Sequence, residues 1–150
     1  MNILSEQSFE IKNIVSRSDK FSAHKFQEVL MESARQFKDY MINNGETIIT
    51  TTKAVEIVDS EQILDVEILL PVSYRIPCNE PFVFKEKIKI VNALYVREDD
   101  ITKLQDTMNY MNKYILDNKL QPITSAYLVQ SKQDNKMITD IYIGINPNVL

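Results

Sequence analysis

The chain has no tryptophan, and in 150 residues it carries one cysteine, Cys78, and one histidine, His24. A lone cysteine excludes an internal disulfide, and one cysteine with one histidine cannot supply the Cys/His set of a zinc site. Glycine occurs only at Gly45 and Gly144, so there is no Gly-rich loop to cradle a phosphate. No apolar run approaches the ~20 residues that cross a bilayer. The opening Met1-Asn2-Ile3-Leu4-Ser5-Glu6 lacks the basic start and apolar centre of a signal peptide. These absences predict a cytoplasmic chain in a reducing compartment, with no membrane partner and no cofactor. The formal net charge of −4 weighs against nucleic acid as a partner, because phosphate binding needs an excess of Lys and Arg. The nearest approach to a basic patch, Lys85-Glu86-Lys87-Ile88-Lys89, reads as a solvated strand face.

What is present is an ordinary globular composition, 44% hydrophobic and 25% charged, enough for one sizeable core and a single domain over residues 1–150. Its organising feature is an internal repeat. Phe37–Asn44 aligns with Met111–Asn118, placing Tyr40 on Tyr114 and Asn44 on Asn118. The same offset pairs Ile49-Thr50 with Ile123-Thr124 and, after one inserted residue, Asp65–Ile68 with Asp140–Ile143. The halves run from about 8 to 74 and from 82 to 147. Two copies of one supersecondary unit predict a pseudo-twofold fold.

In order, Ser8–Ser16 reads as a strand followed by a polar turn at Ser16–Lys20. Ser22 then caps a helix whose stripe is Phe26, Leu30, Ala34, Phe37 and Met41, closed by Gly45. Thr47–Val58 is β-branched and reads as a strand, and Asp59-Ser60-Glu61 as a turn. Leu64, Val66, Ile68, Leu70, Val72 and Tyr74 then alternate against Asp65 and Glu67. Pro77–Pro81 is a crossover loop, and Phe82–Val96 a strand with a bulge expected near Asn92. Asp99-Asp100 caps a second helix with the stripe Ile101, Leu104, Met108, Met111 and Ile115, ended by Asn118 at C′ and then Pro122. Ser125–Ser131 and Met137–Ile145 are the last strands. Each half is β-α-β-β, and the expected fold is α+β, an antiparallel sheet with both helices on one face.

No catalytic constellation emerges. His24 reads as an exposed residue of a first helical turn, and without it no Ser-His-Asp set can be completed. Cys78 reads as an unreactive loop thiol, with nothing near it in sequence to lower its pKa. Met31, Met41, Met108 and Met111 read as core filler. If the apolar parity of each final strand faces the helices, Asp65, Glu67, Asp140 and Tyr142 share the opposite face. The repeat makes Glu67 equivalent to Tyr142, and Tyr95 and Tyr127 are expected nearby. An ordinary solvated face explains these residues too. As a site they form a cleft of ring faces and a carboxylate for a cationic or amphipathic group.

The tandem β-α-β-β order, with the last strand Asp140-Ile141-Tyr142-Ile143-Gly144-Ile145, resembles the gyrase-inhibitor-like family of small-molecule-binding domains, used as effector-binding modules by multidrug-responsive transcription activators. That family commonly has proline where Gly144 stands, whereas Pro71 occupies the corresponding stretch of the first half. Its members that bind cationic drugs place a glutamate near the strand after the second helix, and here Ser125–Gln130 contains no acid. The chain also looks like small Firmicute proteins of this fold, some encoded beside type VII secreted toxins. The resemblance implies a non-enzymatic effector-binding domain, expected to stand alone because no DNA-binding segment precedes Phe9. Its partner is a small amphipathic or cationic molecule. The other reading is an adaptor or chaperone for a partner protein such as a secreted toxin, and a homodimer is left open by either.

Overall fold

The computed structural model of the chain describes residues 2–147. Among the described residues six antiparallel strands and two α-helices make an α+β fold: β1 (Leu4–Ser22), α1 (Phe26–Phe37), β2 (Thr47–Val58), β3 (Glu61–Pro71), β4 (Phe82–Glu98), α2 (Leu104–Asp117), β5 (Pro122–Gln133) and β6 (Lys136–Ile145). The chain divides into two compact units, Ile11–Ile88 and a second made of the residues up to Glu10 with those from Lys89 on.

In the first unit β3 is central. It pairs with β1 from Ile14↔Pro71 to Ser22↔Ile63, and with β2 from Ile49↔Leu69 to Val58↔Glu61. The β2–β3 turn is two residues long, Asp59 and Ser60, both at positive φ, the conformation that matches strand twist in a tight hairpin. Leu30 of α1 packs on Val15, Val66, Ile68, Leu70 and Val72, with Phe26, Ala34 and Phe37 alongside. Two features differ from the sequence reading. The polar stretch Ser16–Lys20 is strand rather than turn, recruited by its pairing with β3. α1 stops at Phe37: two 3-10 turns follow, Asn43, Asn44 and Gly45 all take positive φ, and Met41 is extended, bridging Val72. Met41 is thus buried as a bridge residue, not as part of a helical stripe, and Met31 is exposed.

In the second unit β6 is central, pairing with β4 from Ala93↔Gly144 to Glu98↔Thr139, and with β5 from Ala126↔Ile143 to Gln133↔Lys136. Its hairpin turn is again two left-handed residues, Asp134 and Asn135. The Asp100 carboxylate caps the turn leading into α2 by accepting from the Thr102 backbone N–H. Ile101 lies in that turn and is exposed, outside the stripe. Met111 and Ile115 pack on Leu94, Val96, Ile141, Ile143 and Ile145. The helix ends in a Schellman pattern, with Lys119 N–H donating to Leu116 C=O and Leu120 N–H to Ile115 C=O. The left-handed residue there is Lys119 rather than Asn118, whose amide instead donates to the Tyr114 carbonyl. β4 runs unbroken through Asn92, whose side chain donates to Ile145 C=O.

Gly144 has a local reason. The β5–β6 register breaks between Pro122 and Ala126, and the Thr124 hydroxyl accepts the Gly144 N–H at 2.8 Å. A proline at this position would remove that donor. A Cβ would stand 2.9 Å from Thr124 Cγ2 and 3.1 Å from Ile90 Cγ2. Gly144→Ala is therefore expected to destabilise the protein by about 1–3 kcal/mol through overpacking, read as a lower urea midpoint. An unchanged midpoint would mean that Thr124 swings away freely.

Candidate functional site

Because Leu94, Val96, Ala126, Leu128, Ile141 and Ile143 face the α2 core, strand alternation turns Tyr95, Tyr127 and Tyr142 to the other face of the second unit. The register sets them in one row: Tyr95 lies opposite Tyr142, and Tyr142 opposite Tyr127. The Tyr95 and Tyr142 ring centroids are 4.9 Å apart. Phe9 stacks on Tyr142 at 4.6 Å and 29°, and reaches Tyr127 at 6.2 Å. Three of the four residues predicted from sequence thus come together with a fourth ring, Phe9, which the sequence placed only within the first strand.

Beside the row, Asp140 accepts three hydrogen bonds: from Arg97 Nε at 2.8 Å, from Arg97 Nη2 at 3.1 Å and from the Tyr95 hydroxyl at 2.6 Å. The bidentate pair is the strong geometry for a guanidinium and a carboxylate. Burial, followed by the hydrogen bond to Asp140, pushes Tyr95 up to about 12. Burial, followed by the Asp140 charge, also raises Tyr142. Both phenols therefore stay protonated at neutral pH, and Tyr95 spends its proton on Asp140. Asp140, expected on a wet face, is committed to its own cation and phenol. Arg97 carried no signal in the sequence because its partner lies 43 residues away.

Glu67 belongs to the first unit and differs from the expected exposed acid. Only 4% of it is exposed. Its Oε2 accepts from the Ser16 hydroxyl and from Lys85 Nζ, each at 2.6 Å, and Lys53 Nζ stands 3.8 Å from Oε1. Burial alone would raise its pKa, but the Lys85 and Ser16 hydrogen bonds and the two lysine charges outweigh it and hold the group below its ordinary value. Glu67 is an ionised, already partnered carboxylate.

The remaining candidates fall in the first unit. His24 Nδ1 is 2.7 Å from Ser22 Oγ and 3.4 Å from Glu61 Oε1, and Ser22 also donates to Glu61. Hydroxyl and acid approach the same ring nitrogen, whereas a nucleophile relay uses opposite ones. Burial raises the Cys78 thiol pKa, away from the reactive thiolate. Among the described residues no helix is long and apolar enough to cross a membrane.

No protein-family model matches the chain, and no curated protein matches it. Solved structures do share its α+β fold. The crystal structure of the EcmrR C-terminal domain superposes with a TM-score of 0.70 at 17% identity, covering 97% of this chain and 99% of that domain. EcmrR in its complex with DNA, solved by cryo-EM, matches with a TM-score of 0.70 at 16% identity over 96% of this chain. This chain spans 57% of that EcmrR chain's length. An uncharacterised conserved protein from Listeria innocua matches at 0.52 and 8% identity, over 94% of this chain and 93% of its own. At these identities the likeness is one of fold.

Proposed function

We propose that the chain is a non-enzymatic binding domain for a small, planar, amphipathic molecule held on the tyrosine-bearing face of β4, β6 and β5. The observation that carries the reading is the cross-strand row of Tyr95, Tyr142 and Tyr127 with Phe9 stacked on its centre. Half-buried rings offer apolar surface for stacking, and the protonated Tyr142 hydroxyl offers a hydrogen-bond donor beside them. The shared fold with the C-terminal domain of EcmrR, a protein solved on DNA, supports an effector-sensing role. The tandem β-α-β-β repeat belongs to the same reading, supported by the matching element order and two-residue hairpin turns of the two units. A positive charge on the ligand is not required, since Arg97 already engages the carboxylate beside the rings.

With no tryptophan in the chain, tyrosine emission is the intrinsic reporter. The test titrates the full chain with naphthol and with its quaternary-ammonium and carboxylate analogues. Saturable quenching by at least one probe is expected, with affinity about tenfold weaker in Tyr142→Ala, the loss of one favourable ring contact. No saturable binding by any of the three, or equal binding by the variant, would overturn the site.

A further inference from the structure

In the first unit two ammonium groups share one carboxylate, and we infer that Lys53 and Lys85, oriented by Glu67, form a binding point for a small oxyanion, a carboxylate or phosphate group. Glu67 is fixed by burial and by the Ser16 hydroxyl. Lys85 donates to its Oε2 while Lys53 approaches Oε1, so both ammoniums converge on one group of charge −1. The cluster carries a net +1, and the lysines repel each other across the carboxylate that holds them. The side chains of Lys53 and Lys85 remain 47% and 41% exposed, so ammonium donors beyond those turned to Glu67 face solvent.

The backbone supplies an independent argument. The β2–β3 pairing is regular through Thr51↔Glu67 and Thr52↔Val66, then shifts and resumes at Ala54↔Asp65, leaving Lys53 as the extra residue. A bulge re-aims a side chain, and this one delivers Lys53 to the central-strand acid, where Lys85 already satisfies the pairing. A second cation at a satisfied carboxylate adds little to the pair. It does add the charge needed to attract an anion. This site belongs to the first unit and does not depend on the tyrosine row.

The test is an NMR titration of the full-length chain at neutral pH with sodium phosphate and, separately, sodium acetate, each against sodium chloride at equal ionic strength. Saturable shifts are expected at the amides of residues 51–53, 66–68 and 85. Lys53→Gln is expected to weaken them about fivefold, the factor that one unit charge about 4 Å away supplies even in water's dielectric. Lys53→Arg is expected to retain them. Lys53 rather than Lys85 is varied because Lys85 holds the buried acid. Response to phosphate alone assigns a phosphate-bearing ligand, response to acetate alone a carboxylate, and response to both the shared oxyanion chemistry. Shifts no greater than those with chloride, or equal affinity in Lys53→Gln, overturn the inference.

Discussion

Met111→Ala is expected to lose about 3–5 kcal/mol of unfolding free energy, one of the two largest effects foreseen for any single change. Met111 is fully buried in the core it shares with Leu94 and Val96 of β4 and Ile141 and Ile143 of β6. Truncation removes the transfer free energy of the lost atoms and leaves a cavity that packed β-branched neighbours fill poorly. Measured costs for such changes span about 2–5 kcal/mol, with the high end at sites that cannot collapse. Met31→Ala provides the contrast, since Met31 is exposed and should lose less than about 0.5 kcal/mol. Urea unfolding of both variants decides the matter. A loss below about 1 kcal/mol for Met111→Ala would mean that the α2 seam is plastic enough to refill.

The contrast between the two methionines shows what the sequence could and could not reveal. Spacings of three and four placed Met111 and Ile115 correctly, because α2 runs unbroken to Asp117 and its stripe meets a strand of matching parity. The same spacing misplaced Met41. Phe37 and Met41 are four apart and imitate a continued helix, while the decisive signal was the run Asn43-Asn44-Gly45, three residues that tolerate positive φ and here all adopt it. Asp59-Ser60-Glu61 was legible as a turn between two strands, whereas the two-residue form of both hairpins, Asp59-Ser60 and Asp134-Asn135, shows only in the structure. The strand character of Ser16–Lys20 was not, since it has no apolar period and exists only through its pairing with β3.

The candidate site divides in the same way. Strand parity put Tyr142 on the face away from the helices, with Tyr95 and Tyr127 expected only as neighbours, and the structure sets the three in one row. Parity could not show which charges were spent. Ser16, Lys53 and Lys85 come to Glu67 from three separate strands, and the Arg97–Asp140 pair spans β4 and β6. Such pairings are set by register, which one-dimensional alternation leaves undetermined. The acids look alike in sequence, as polar residues at alternate positions. In the structure Glu67 is enclosed and Asp140 is chelated, and neither is an unpaired carboxylate on a wet face.

Glu67→Gln carries the other large expected effect, about 2–3 kcal/mol of destabilisation at neutral pH. Breaking a fully buried pair costs about 3–5 kcal/mol. The lower figure applies because the Lys85 side chain is 41% exposed and regains part of its hydration. The amide keeps an acceptor for Lys85 or Ser16 but loses the charge that holds two ammoniums together, so like-charge repulsion adds to the loss. The pH dependence gives the second readout. In the folded chain the Glu67 carboxyl lies below its ordinary value of 4.5, because the Lys85 and Ser16 hydrogen bonds and the lysine charges outweigh the opposing effect of burial. A depressed folded value means that the stabilisation is complete where the unfolded chain is also ionised, above about pH 5. It shrinks as pH falls below 4.5, where the unfolded chain takes up a proton first, and is gone once pH has dropped through the folded value. The gap in unfolding free energy between wild type and Glu67→Gln should therefore stay constant from about pH 7 to about pH 5 and narrow on further acidification. Urea unfolding across that range tests it. A gap that widens toward acid would mean that Glu67 is held above, not below, its ordinary value, with desolvation outweighing Lys85.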